Sequence, residues 1–142
     1  MGPKIFTPKE ANQSIPALES LFEQLDRVRS KLKTVKNKIE VLEMLWGEEL
    51  QSEQNPDHRE FTHYMSEIER AKQEYEGTTK RLADQEVMLK IVDAGLADFY
   101  GVIDGRLVFL CWKRGEKSVE HYHHLDEGFA GRIPIPAEEL AR

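Results

Sequence analysis

From Leu18 onward, apolar and polar positions alternate along the chain with a helical beat. Leu18, Leu21, Leu25, Val28, Leu32, Val35, Ile39, Leu42 and Trp46 follow one another at spacings of three and four. An apolar residue at every one of these positions makes a coiled-coil seam, narrower than the stripe of an ordinary amphipathic helix. Upstream, Thr7-Pro8-Lys9-Glu10 carries the capping-box pattern with proline at the first helical position, which predicts a helix start at Pro8. Pro16 has no amide donor and predicts a break around Ser14-Ile15 with a fresh start beside it. Gly47 and the stretch from Gln51 to Pro56 interrupt the seam, and Asn55-Pro56 predicts the start of a second long helix. The second seam runs Phe61, Tyr64, Ile68, Ala71, Tyr75, Thr78, Leu82, Gln85, Leu89 and Val92. Ala71, Thr78 and Gln85 make it locally weak. Asp93-Ala94-Gly95 predicts its end, with the glycine as a left-handed cap.

Two helices of similar length with a short connection are expected to fold back on each other. With the turn near Ser52, Leu42 meets Phe61, Val35 meets Ile68, Val28 meets Tyr75 and Leu21 meets Leu82, and Lys38 lies near Glu67. Each arm would span about 45 Å. After Gly95 the period changes to two. Asp98 to Ile103 and Arg106 to Lys113 flank Asp104-Gly105, a strong hairpin signal, and Arg114 to Lys117 turns the chain into a strand from Ser118 to His124. The expected fold is therefore mainly α: a long antiparallel two-helix coiled-coil hairpin with a small C-terminal three-stranded antiparallel β-sheet. Residues 1–142 read as a single domain, with the hairpin over 8–94 and the β-meander and C-terminal loop over 95–142.

Composition narrows the classes. The 142 residues are 39% hydrophobic and 32% charged with a formal net charge of -6, a balance that suits long solvated helices and disfavours nucleic acid as a partner. Cys111 is the single cysteine, which fits a reducing compartment. The N-terminus has no apolar core of a signal peptide, and no stretch approaches the roughly 20 apolar residues needed to span a membrane. A cytoplasmic protein with no membrane partner is expected. The run Arg27, Arg29, Lys31, Lys33, Lys36, Lys38 contains no acid; it reads either as a phosphate or membrane-surface patch or as a solvated helix face partly paired with Glu67, Glu69, Glu74 and Glu76, and the solvated face is expected.

Candidate chemistry gathers near the C-terminus. His121, His123 and His124 lie close in sequence to Cys111, Glu116, Glu120, Asp126 and Glu127. On a strand, His121 and His123 point to one face, which suits chelation of a divalent metal such as zinc. Glu116, His121, His123 and Asp126 are the candidate metal ligands. Cys111 joins the histidine face only if the connection after Arg114 has an odd number of loop residues. An even number turns it away. As a nucleophile Cys111 is disfavoured, because it lies within the apolar run Leu107 to Trp112 and a buried thiol there is inert. Gly128 to Arg132 could offer amides and a guanidinium to an anion, or Asp126 and Arg132 could form an ion pair that pins the loop. At the other end of the chain, Val41, Leu42, Met44, Leu45 and Trp46 are apolar around more than one helix face, with Phe22 and Met65 also off the seam. Such a surface predicts a homo-oligomer or a protein partner.

Leu110-Cys111-Trp112-Lys113-Arg114-Gly115-Glu116, and Tyr122-His123-His124-Leu125-Asp126-Glu127-Gly128-Phe129-Ala130-Gly131-Arg132, resemble the uncharacterised bacterial family known as domain of unknown function 2203. Phe6-Thr7, Glu10-Ala11-Asn12 and Pro16 resemble its opening. The resemblance covers nearly the whole chain and implies recurring polar positions at Cys111, Glu116, His123, Asp126 and Arg132. It carries no activity with it. Two functions compete: a non-enzymatic interaction or scaffold protein that self-associates through its helices, and a metal-binding module or metal-dependent enzyme built on the C-terminal cluster.

Overall fold

A computed structural model describes residues 2–91 and 94–142. The chain divides into two compact units, residues 23–79 and a second made of residues 1–22 with 80–142.

The first helix, α1, runs Pro8–Gln13. Thr7 accepts from the Glu10 amide while the Glu10 carboxylate accepts from the Thr7 amide, so both bonds of the capping box are made. Ser14 caps its end, and α2 starts at Ile15 and runs to Trp46, so the break falls where Pro16 demands it. A 3-10 turn, Gly47–Gln51, leads out of α2. Asn55 Oδ1 accepts from the Asp57 amide at 2.8 Å, and α3 follows over His58–Asp84.

In the unit of residues 23–79, Val35, Ile39, Leu42, Leu50 and Phe61 form one buried apolar cluster, with Trp46, Tyr64 and Ile68 packed against it. Seam residues of α2 (Val35, Ile39, Leu42) and of α3 (Phe61, Tyr64, Ile68) thus share one cluster. Lys38 stands over the Tyr64 ring, 5.4 Å from its centroid, while Glu67 is 3.0 Å from His63. Trp46 is tied down by its indole, which donates to Asp57 at 2.8 Å. Val41, Met44, Leu45 and Met65 remain exposed.

The other unit corrects the expected sheet. It has five antiparallel strands in the order β1-β2-β3-β4-β5, not three: Met88–Ile91, Leu96–Ile103, Arg106–Lys113, His121–His124 and Ile133–Pro134. The first extra strand comes from residues assigned to the second helix. That helix stops at Asp84 because Glu86 turns left-handed, with φ of 59°. The Val87 amide then donates to Leu82 O at 3.1 Å and the Glu86 amide to Ala83 O at 2.9 Å. This is a Schellman cap, and Val87 and Leu82, the two positions that usually touch across one, are both buried. Leu89 therefore lies on a strand. Val92 and the expected end at Asp93 lie outside the described residues. The second extra strand is short: Ile133 and Pro134 pair with Tyr122 and His121.

The sheet is two-sided. Ala97, Phe99, Val108, Leu110 and Trp112 occupy one buried face, where Phe22 lies 6.1 Å from Trp112 between ring centroids. Phe22, apolar and off the seam, is thereby covered. Leu96, Asp98, Phe109, Cys111 and His123 occupy the other face. The turn between β2 and β3 is Asp104-Gly105, both at positive φ, as a type I′ hairpin requires. Gly101 has a packing reason, since a Cβ there would fall 2.6 Å from Leu110 Cγ. A last helix, α4, covers Ala137–Leu140.

Candidate metal centre

The register of three strands builds the centre. Asp98 on β2 is directly opposite Cys111 on β3, and Cys111 is opposite His121 on β4. The odd connection is therefore the one realised, and Cys111 shares the histidine face. His123, one row away opposite Phe109, reaches over the middle strand, so that its Nε2 lies 3.1 Å from Asp98 Oδ2. Asp98, Cys111 and His123 each offer a ligand atom within 4.8 Å of the other two, and all three residues are buried. Among the described residues this is the group of three or more His, Cys, Asp and Glu side chains that meets that spacing.

The protons are constrained. His123 Nδ1 is 2.9 Å from His124 O. A carbonyl oxygen only accepts, so Nδ1 carries a hydrogen and donates. That bond leaves the Nε2 lone pair aimed at the Asp98 carboxylate, unless a proton lies between them. Burial pushes the Asp98 carboxyl above its ordinary pKa, against the opposing effects of His123, Cys111 and Lys90. Burial also pushes the Cys111 thiol up to about 12, reinforced by the charge and hydrogen bond of Asp98 and opposed by Arg132. Without a cation Cys111 is a neutral thiol and a poor nucleophile.

A second network lies beside the first. Arg132 donates to both oxygens of Glu116, at 3.0 and 2.8 Å, and Glu116 also accepts from the Lys113 amide at 2.7 Å. Burial alone would raise the Glu116 pKa, but the Arg132 hydrogen bonds and the Lys113 amide more than reverse it, and the carboxyl lies below its usual value. His121 Nδ1 is 4.0 Å from Glu116 Oε2 and is a buried atom with no hydrogen-bond partner among the described residues. The anchor of Arg132 is thus Glu116, not Asp126.

Of the four expected ligands, the structure brings His123 into the close group. Glu116 is engaged by Arg132, His121 stands next to Glu116, and Asp126 is exposed in the turn after β4. The other two members are Cys111, whose place on the histidine face hung on the parity of the connection after Arg114, and Asp98, missed altogether. A signal for Asp98 existed: a two-residue Asp104-Gly105 turn pairs Ile103 with Arg106 and so, counting outward, Asp98 with Cys111.

The group lines a cavity of about 170 Å³ whose other walls include Lys90, Leu96, Phe109, Leu125 and Phe129. Residues 4–135 match the model of the family described as Uncharacterized conserved protein (DUF2203). The chain belongs to that family. No curated protein and no solved structure matches it. The span matched to DUF2203 contains the whole close group, the Glu116–Arg132 pair and the cavity walls. No helix among the described residues is long and apolar enough to cross a membrane.

Proposed function

We propose that this DUF2203 protein is a metal-binding module whose ion is held by Asp98, Cys111 and His123. The observation that carries the reading is the orientation of His123, which donates through Nδ1 to a backbone carbonyl and turns Nε2 toward Asp98. That outer hydrogen bond is the usual device that holds a metal-binding imidazole in the right tautomer. Ligand atoms around a tetrahedral zinc ion stand roughly 3.3–3.7 Å apart, given bonds of about 2.0–2.3 Å. The 3.1 Å between Asp98 and His123 is close to that range. A thiolate in the set favours zinc or another borderline ion over magnesium or calcium. Three protein ligands beside a cavity correspond to the open type of zinc site. The ion would take the place of the Cys111 proton and of the proton between Asp98 and His123, so binding releases protons.

Elemental analysis of protein purified without added metal, followed by zinc titration of metal-free protein, tests this. Zinc at a hundredfold excess over Kd should stabilise the fold by about 2.7 kcal/mol. Cys111→Ser, Asp98→Asn and His123→Ala should abolish that gain, while Asp126→Asn should keep it. A wild-type protein that neither carries nor binds zinc would end the proposal.

The scaffold reading keeps a separate observation of its own. Met44 is 88% exposed and Leu45 68%, with Val41 beside them on α2. An apolar strip of this kind supports self-association of the helical unit. Sedimentation equilibrium of the Leu45→Glu variant beside wild type checks it, and a wild-type monomer at high concentration would refute it.

A further inference from the structure

The cavity beside the proposed metal ligands is small, about 170 Å³. At roughly 30 Å³ per liquid water it holds the volume of about five or six waters. Its walls are of two kinds. Leu96, Phe109 and Phe129 are apolar, whereas Lys90 brings an ammonium, with Nζ 4.6 Å from the Phe109 ring centroid. Arg132 stands over the Phe129 ring at 4.2 Å, so both aromatic walls carry a cation on a face. Glu127, the further carboxylate of the lining, is exposed and turned onto Gly131.

Charge then selects the ligand. A divalent ion is neutralised by the Asp98 carboxylate and the Cys111 thiolate, with His123 contributing no charge. The guanidinium of Arg132 is matched by Glu116. Lys90, in the lining, is felt by Asp98, and Lys113 stands 5.4 Å from the centroid of the Phe129 ring; the lining carboxylate of Glu127 offsets one of these two ammonium charges and leaves one positive charge at the cavity. One negative charge completes the site, and the apolar walls favour a ligand with a hydrocarbon part.

We infer, resting on the metal reading above, that the cavity takes a small aliphatic monocarboxylate. Its carboxylate bridges the open metal position and Lys90, and its alkyl end lies against Phe109 and Phe129. Inorganic phosphate fits less well, because it brings a second negative charge and no apolar surface.

Cobalt(II) in place of zinc makes the test visible, since a bound thiolate gives a charge-transfer band and the d–d bands report a change in the fourth ligand. Acetate, butyrate and inorganic phosphate are titrated into cobalt-loaded wild type and Lys90→Met. Butyrate should bind about tenfold more tightly than acetate, as two further buried methylenes imply. Phosphate should be weaker than either. Lys90→Met should load cobalt as wild type does and lose about tenfold in butyrate affinity, the worth of one charge-assisted hydrogen bond. Three results overturn the inference while leaving the metal reading intact: cobalt bands that no carboxylate perturbs, phosphate binding at least as tightly as butyrate, or an unchanged butyrate affinity in Lys90→Met. The absence of a thiolate–cobalt band in wild type overturns both.

Discussion

Val35→Asp is the sharpest perturbation of the helical unit. Val35 is 4% exposed and sits in the cluster with Ile39, Leu42, Leu50 and Phe61. Removing a fully buried valine forfeits about 1.5–3 kcal/mol of burial. The incoming carboxylate must be desolvated without a partner or take up a proton, at a further cost of about 2 kcal/mol or more. The sum, about 4–5 kcal/mol, is a large part of the 5–15 kcal/mol that stabilises an ordinary domain. Val41→Asp is the internal control. It makes the same chemical change six residues along the same helix, where the valine is 56% exposed, and at protein concentrations low enough for a monomer it should change stability by no more than about 0.5 kcal/mol. Urea unfolding followed by far-UV circular dichroism gives both values. A Val35→Asp midpoint equal to wild type, or a Val41→Asp loss of the same size, would refute the assignment of these two helix faces.

Two glycines should respond in opposite directions. Gly101→Ala pushes a Cβ to within 2.6 Å of Leu110 and should cost about 1–3 kcal/mol, whereas Gly77→Ala meets nothing within 4 Å inside α3 and should gain about 0.5–1 kcal/mol. Melting-temperature shifts of the same sign would contradict this. Cys111, buried with its pKa raised to about 12, has about one thiolate in ten thousand at pH 8, so a disulfide reagent should leave the metal-free native protein unmodified and react on unfolding. Free-thiol rates in the native state would rule the buried placement out. Glu116 has a folded pKa below its unfolded one, so its contribution is present above the unfolded value of about 4.3 and is lost as pH falls through the folded pKa. Glu116→Gln should therefore flatten the acid limb of a stability–pH curve, and an unchanged limb would show that the Arg132 pair contributes nothing to it.

The parts of the fold legible in the sequence are those set by a local rule. The capping box at Thr7, the break before Pro16 and the Asp104-Gly105 hairpin each depend on a few adjacent residues, and each stands where those residues put it. The end of α3 depends on no such signal. Leu89 continues the three-four spacing of the second seam, while Val87 to Ile91 reads equally well as a buried strand. The deciding residue is Glu86, which adopts the left-handed conformation usually given to glycine or asparagine and so conceals the cap. The glycine that looked like the cap, Gly95, lies instead just before β2 with φ of 68°, where a Cβ would meet Arg114 Cβ at 2.5 Å. Five strands rather than three follow from that one hidden turn and from a two-residue edge strand too short to show a period.

For the candidate centre, sequence proximity was the misleading guide and strand register the better one. Glu116 and Asp126 are near the histidines along the chain, yet Glu116 satisfies Arg132 and Asp126 faces solvent. Asp98 is far away along the chain and lies opposite Cys111 because two residues make the hairpin turn. The strand pairing then places His121, not His123, directly across from Cys111. Register alone would therefore put His121, not His123, in the row of Asp98 and Cys111. The choice is made by reach: His123 starts opposite Phe109, and its ring crosses over β3 to Asp98, while His121 is held beside Glu116 on the flank that Arg132 occupies. A backbone pattern can place a residue in a row, but which imidazole meets the carboxylate depends on what already fills the neighbouring space. Here Glu116, paired with Arg132, lies 4.0 Å from His121 Nδ1, while His123 lines the cavity.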